Sequence, residues 1–132
     1  MPVVDASVVV EFLSGDERTL TLDERMKAEE HTLWAPHLID AEVGHALRRK
    51  VRLGQMDAEA AEEALWELDD LPLRLVEHEN LVKIAWDLRH NFTFYDGLYV
   101  ALALVLGETL LTFDARMARS GLNLPIEVLD QA

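Results

Sequence analysis

Short apolar segments alternate with segments of helical periodicity along most of the chain, and this alternation constrains the fold more than any other feature. The apolar segments predicted as strands are Val3–Val4, Thr32–Ala35, Leu73–Val76, Thr109–Phe113 and Ile126–Leu129. Between them, apolar residues recur at helical spacing, as in Ile39, Val43 and Leu47. Strands that alternate with helices form parallel sheets, so the sequence predicts an α/β fold with a mainly parallel sheet.

The intervening segments predict six helices and one short helical turn. These are Ser7–Leu13, Leu20–Glu30, His37–Leu53, Asp57–Leu68, His78–His90, Tyr95–Leu106 and the short Asp114–Arg119. The segment Tyr95–Leu106 is almost entirely apolar, so we expect it to be buried on most sides. A length of 132 residues suits a single domain, residues 1–132, with one core.

The composition excludes several classes of protein. The chain has no cysteine, which rules out disulfides and thiolate zinc sites and agrees with a cytoplasmic protein. Its longest apolar stretch, Leu98–Leu106, is less than half of the ~20 residues that cross a bilayer, so no membrane association is expected. The net charge of −13 is unlike that of a general nucleic-acid binder and suits a basic partner, a cation-loaded site or simple solubility.

Two of the predicted strands run directly into an aspartate, Asp5 and Asp114. Ligand sites of parallel sheets form beyond the carboxyl ends of the strands, where these two side chains are expected. Aspartate is also a favoured helix N-cap, so capping is the alternative interpretation for each of them.

Two further carboxylates, Asp96 and Glu42, fit less easily into a purely structural role. Asp96 lies at the start of the most apolar helix, where it could also be a cap, and no Lys or Arg occurs between His90 and Gly107. Its charge therefore needs a cation from a distant segment or a metal. Glu42 lies inside a helix beside the apolar stripe, where a cap does not fit and a solvent-facing side chain is the alternative.

Taken together, the four carboxylates predict a site for a hard divalent cation, because Mg²⁺ prefers oxygen ligands and retains water. The chain has no HExxH zinc motif, no Gly-rich phosphate loop and no nucleophile elbow around its serines. The histidines are scattered; His45, one turn from Glu42, is the one that could support the site.

Four segments in order resemble the acidic motifs of the PIN-domain nucleases, and among these the VapC toxins that pair with a VapB antitoxin. The segments are Val3–Val8, Pro36–Val43 with Ala46–Arg49 behind it, Tyr95–Ala103 and Leu110–Asp114. One short acidic motif would be weak evidence, but four in order over almost the whole chain are specific. The sequence departs at Gly97, where these proteins often have Ala.

The resemblance implies a three-layer α/β/α fold with four to five strands and an endoribonuclease that hydrolyses RNA by a metal-activated water. The implied metal is Mg²⁺, with Mn²⁺ as an alternative. The implied metal-binding and catalytic acids are Asp5, Glu42, Asp96 and Asp114. Thr112 would be a catalytic hydroxyl beside them, and Ser7 would donate a supporting hydrogen bond.

The resemblance also implies three partners: RNA, a VapB-like antitoxin and a second copy of the chain. Arg48, Arg49 and Arg116 are predicted to contact the RNA backbone, although arginines at helix ends are also favoured by the helix dipole. The tryptophans are predicted to pack in the core, with a dimer surface as the alternative for Trp66 and Trp86. Two other functions remain open: a PIN nuclease of RNA processing and a non-catalytic protein-binding PIN module.

Overall fold

The computed structural model describes residues 1–14 and 32–129. Its strands are β1 (Val3–Val4), β2 (Leu33–Pro36), β3 (Leu73–Val76), β4 (Leu110–Thr112) and β5 (Ile126–Val128). Its helices are α1 (Ala6–Ser14), α2 (Ile39–Arg52), α3 (Ala58–Glu67), α4 (Val82–Asp87) and α5 (Phe94–Leu106). Short 3₁₀ helices cover Leu68–Asp70 and Ala115–Ala118. The helix predicted over Leu20–Glu30 lies outside the described residues.

All five strands run parallel in one sheet of order β3-β2-β1-β4-β5. From the central β1 the chain moves to β2 and β3 on one side and then returns to build β4 and β5 on the other. Val3 pairs with Trp34 of β2 and with Leu110 of β4, so the ends of β1 and β4 lie side by side. The strand order reverses here, and a crevice for a ligand forms at such a reversal.

The core is built around β1, β4 and α5. Both residues of β1 are fully buried, and so are Leu110 and Leu111 of β4. Helix α5 packs on β1, β2 and β4 and is covered in turn by α4, while α1 packs against β4, α2 and α3. The predicted parallel α/β fold with helices around a central sheet is thus confirmed. Within the described ranges, no helix is long and apolar enough to cross a membrane.

Two predictions about elements were wrong. The helix expected over His78–His90 is regular only at Val82–Asp87, because turns precede and follow it. In these turns the amides of Leu81, Arg89 and Asn91 donate to carbonyl groups three residues back. Trp66 and Trp86 were expected in the core, but they are 65% and 57% exposed. Alanines such as Ala64 of α3 and Ala85 of α4 turn to the core instead, so the tryptophans of these helices lie on the outer faces.

Candidate active site

Asp5 follows β1 directly, and its carboxylate is almost completely buried. Its Oδ1 accepts hydrogen bonds from the Ser7 hydroxyl and from the Val8 amide at 3.3 Å, and its Oδ2 accepts one from the Thr112 hydroxyl. The bond from Val8 caps α1, so the capping interpretation holds for Asp5. Burial nevertheless raises the pKa of Asp5, with the Asp96 charge in the same direction, against the lowering effect of the hydrogen bonds.

Two hydroxyls tie the end of β1 to the end of β4. Thr112, fully buried, donates to Asp5 and accepts from the Asp114 amide at 3.0 Å. Ser7 donates to Asp5 and accepts from the Phe113 amide at 3.0 Å. Each hydroxyl uses its single donor on the Asp5 carboxylate and a lone pair on the backbone at the end of β4. Their geometry fixes the position of Asp5 relative to Asp114.

Asp96 does not cap α5, because the Thr93 side chain accepts from the Asp96 amide at 3.1 Å. The Asp96 carboxylate is half-buried, and burial is the main cause of its raised pKa. The Asp114 charge raises the pKa of Asp96 further, whereas the Thr93 hydrogen bond and the Arg116 charge lower it. Arg116, a cation from a distant segment, offsets the Asp96 charge only in part, because the pKa of Asp96 remains raised.

Glu42 lies on α2, at a half-buried position. The chain enters α2 with the Leu38 amide donating to His78 Nε2 at 3.0 Å, a contact that ties this helix to the loop after β3. Burial raises the pKa of Glu42 most, and the charges of Asp96 and Asp5 raise it further. The Glu42 carboxylate therefore shares one electrostatic environment with the aspartates.

Asp114 is held differently from the other three acids. The Arg116 guanidinium bonds both of its oxygens, at 3.1 and 2.8 Å, and the Arg116 amide donates to Oδ1 at 2.9 Å. These bonds lower the pKa of Asp114 despite its partial burial. Asp114 thus caps the 3₁₀ helix, as one interpretation of the sequence expected, and also faces Asp96. Arg116, predicted as an RNA contact, is bound to an acid in this structure and remains exposed.

The structure brings together the four acids that the sequence singled out. They come from separate parts of the chain, and the Coulombic influences link Asp5, Glu42 and Asp96 to one another and Asp96 to Asp114. Sequence reasoning missed Tyr99, whose hydroxyl lies at the Glu42 carboxylate and lowers its pKa. The only signal was its position three residues after Asp96, where the surrounding apolar run made it look like a core residue.

The donor set fits a hard divalent cation, because all four side chains offer oxygen and their like charges repel without a counter-charge. Among residues 1–14 and 32–129, no three Asp, Glu or His side chains are grouped closely enough to hold one ion directly. A cation at this site would therefore have few direct protein ligands and would keep several waters, as Mg²⁺ does in many sites.

A pocket of about 880 Å³ opens beside Glu42. Glu42 and His45 lie in its wall, as do the cationic side chains of Arg49, Lys50 and Arg116. Of the arginines predicted to contact RNA, Arg49 and Arg116 thus line this pocket, whereas Arg48 is exposed on α2 outside its lining.

Comparison with known proteins gives a consistent result. A family model for the PIN domain matches residues 3–121 of the chain. Ribonuclease VapC1 of Mycobacterium tuberculosis is 45% identical over 130 residues, which cover 96% of this chain and 94% of that protein.

Two crystal structures have the same fold. VapC20 of Mycobacterium tuberculosis, described as a sarcin-ricin loop cleaving toxin, has a TM-score of 0.65 at 20% identity and covers 93% of this chain and 97% of its own. VapBC2 of Rickettsia felis, bound to a DNA fragment from their promoter, has a TM-score of 0.69 at 14% identity, with coverage of 97% and 98%. At these identities the two structures indicate a shared fold alone.

Proposed function

The chain belongs to the PIN-domain family, and we propose that it is a metal-dependent endoribonuclease that acts as the toxin of a toxin–antitoxin pair. The observation that supports the proposal is the electrostatic influence that four carboxylates from separate segments exert on one another, in a chain 45% identical to a ribonuclease. The match covers 94% of that relative, so the proposal compares this chain with nearly the whole of a ribonuclease.

Asp5, Asp96 and Asp114 are assigned as the principal ligands of a divalent cation, some of them through water, and Glu42 is either a further ligand or the base that orients the attacking water. Mg²⁺ is the cation that this oxygen-only donor set favours, and Mn²⁺ is the alternative. When bound, such a cation offsets the charge of the phosphate and lowers the pKa of a coordinated water.

The chain's own side chains orient the acids, accept a proton and bind the RNA backbone. Ser7 and Thr112 hold the Asp5 carboxylate in one orientation from both of its oxygens. Glu42 has a raised pKa, which suits a group that accepts a proton from the attacking water near neutral pH. Arg49 in the pocket wall and Arg48 beside it on α2 bind the phosphates of the RNA backbone, and Arg116 joins them when it releases Asp114.

The proposed partners follow from charge and exposed surface. With a net charge of −13, the chain suits a basic antitoxin segment that places a cation against the acids. A homodimer would cover apolar side chains that are exposed on α4 and α5, Val82, Trp86, Leu104 and Val105. Both RNA and an antitoxin are met in the cytoplasm, which is the compartment we propose.

The test is incubation of the purified chain with total cellular RNA in Mg²⁺, in EDTA, and with the Asp96→Asn variant in Mg²⁺. We expect discrete cleavage products only for the unmodified chain in Mg²⁺. Equal cutting in all three samples would contradict the proposal, because it would indicate a contaminant or a metal-free mechanism. For the toxin assignment, expression should arrest growth of the host, and co-expression of a cognate antitoxin should relieve the arrest.

A further inference from the structure

The hydroxyl of Tyr99 is a polar group buried in the apolar core. Its side chain is 1% exposed, and its hydroxyl has no hydrogen-bond partner of good geometry among the described residues. A buried donor without a partner destabilises a protein, whereas phenylalanine would fill nearly the same volume without that cost. The hydroxyl therefore needs an explanation outside core packing.

The position of the Tyr99 hydroxyl supplies that explanation. Tyr99 lies three residues after Asp96 on α5, so both side chains project from the same side of the helix. The hydroxyl faces the Glu42 carboxylate, and burial, together with the charges of Glu42, Asp5 and Asp96, raises the pKa of Tyr99. A phenol in this setting keeps its proton, so it interacts with a neighbouring carboxylate by donating a hydrogen bond.

A hydrogen bond from Tyr99 would anchor the Glu42 carboxylate. Asp5 is held by Ser7 and Thr112, and Asp114 is held by Arg116. Of the described residues, Tyr99 is the one whose hydroxyl reaches Glu42. A glutamate side chain has three rotatable bonds, so without an anchor its carboxylate samples several directions at the pocket wall.

We propose that Tyr99 is a positioning residue, whose hydroxyl donates a hydrogen bond to Glu42 in the working site and directs the free carboxylate oxygen toward the cation and the attacking water. The inference deepens the proposed nuclease function and rests on it. In the structure the Tyr99 hydroxyl already lies beside the Glu42 carboxylate.

The test is the Tyr99→Phe variant of the full chain, with Tyr95→Phe as a matched control. Tyr95 lies one turn earlier on α5 and is 59% exposed, so this control also removes one phenol hydroxyl from the same helix. We expect Tyr99→Phe to lower kcat by about 10- to 100-fold with little change in KM for RNA. We also expect it to weaken Mn²⁺ binding in RNA-free calorimetry and to leave Tm unchanged or higher. Because Tyr95 also lines the pocket, this control is compared through Mn²⁺ binding and Tm alone, and Tyr95→Phe should leave both unchanged.

A second comparison separates positioning from a structural role. If Tyr99 acts only through Glu42, adding Tyr99→Phe to Glu42→Gln should reduce kcat no further than Glu42→Gln alone. An additive loss, a fall in Tm that accounts for the lost activity, or unchanged kcat and Mn²⁺ affinity would each overturn the inference. If the unmodified chain cuts no RNA, the proposed function fails, and the Mn²⁺ titration still decides whether Tyr99 supports a cation site.

Discussion

Burial penalises the charge of the Asp96 carboxylate in the folded protein. Burial and the neighbouring Asp114 raise its pKa above the ordinary value of 3.8, and Glu42 and Asp5 also have raised pKa values. A carboxyl with a raised folded-state pKa binds protons more tightly in the folded state. Its favourable contribution is complete below about pH 3.8 and is lost as the pH rises through the folded-state value.

We therefore expect Asp96→Asn to stabilise the metal-free protein at pH 7, by about 2–4 °C in Tm, because the uncharged amide removes the repulsion. The same substitution should reduce the gain in Tm that Mg²⁺ gives the unmodified chain. Differential scanning calorimetry between pH 4 and 8, with EDTA or Mg²⁺, measures both effects. Asp40→Asn is the control, because Asp40 is exposed on α2. A lower Tm for Asp96→Asn in EDTA would show that Asp96 stabilises the fold.

Thr112 joins Asp5 and Asp114 through one buried hydroxyl, so its removal should affect both stability and activity. Thr112→Val keeps the shape of the side chain but leaves the Asp5 Oδ2 atom and the Asp114 amide without this partner. We expect unfolding to become easier by about 1–3 kcal/mol and cleavage to slow at least 10-fold. Urea unfolding and RNA cleavage check this, and Thr112→Ser, which keeps the hydroxyl, should recover most of the activity.

The packing of α4 on α5 depends on the absence of a side chain at Gly97. A Cβ at this position would lie 3.3 Å from the Cα, the Cβ and the carbonyl oxygen of Ala85. The sequence indicated only that a glycine weakens the start of α5, by roughly 1 kcal/mol relative to alanine. The close approach to Ala85 gives this glycine a packing role.

Gly97→Ala should therefore fail to stabilise the protein despite the better helix propensity. Overpacking costs about 1–3 kcal/mol, which equals or exceeds the roughly 1 kcal/mol gained from propensity. Gly44→Ala is the matched control, because a methyl group added to Gly44 of α2 would meet nothing within 4 Å, so it should gain about 1 kcal/mol. Equal stabilisation by both substitutions, measured by urea unfolding, would mean that α4 shifts to accommodate the added methyl group without an energetic cost.

Elements with a strong pattern were predictable from sequence, and elements held by tertiary contacts were not. The nearly continuous apolar run of α5 and the two-residue β1 before Asp5 were recognised from hydrophobicity alone. The length of α4 was not, because its periodicity continues past Asp87 while the backbone turns away. The outward direction of Trp66 and Trp86 depends on which face of each helix meets the core, and their apolar neighbours in sequence did not reveal it.

At the scale of the whole molecule, the site depends on which strands are neighbours. The sequence placed Asp5 and Asp114 at strand ends, but it could not show that β1 and β4 pair directly while β2 and β3 lie on the other side. That order puts the two aspartates across the strand-order reversal and lets Thr112 reach Asp5. Tyr99 and the ion pair of Arg116 likewise require the assembled fold, because no local pattern distinguishes a core tyrosine from one that faces an acid.

The overall charge of −13 opposes RNA binding, so phosphate contacts have to come from the few cations near the pocket. Each phosphate contact with a single strand contributes about −0.7 to the slope of the logarithm of the binding constant against the logarithm of the salt concentration. If Arg48, Arg49 and Arg116 each neutralise one phosphate, this slope should be about −2. Replacing Arg48 and Arg49 with Ala in the Asp96→Asn background should flatten the slope by about 1.4 and weaken binding. Fluorescence anisotropy with a short single-stranded RNA measures the slope, and Arg89→Ala is the control, because Arg89 stacks on Trp86 at 4.6 Å. An unchanged slope in the double variant would place the RNA on another face of the molecule.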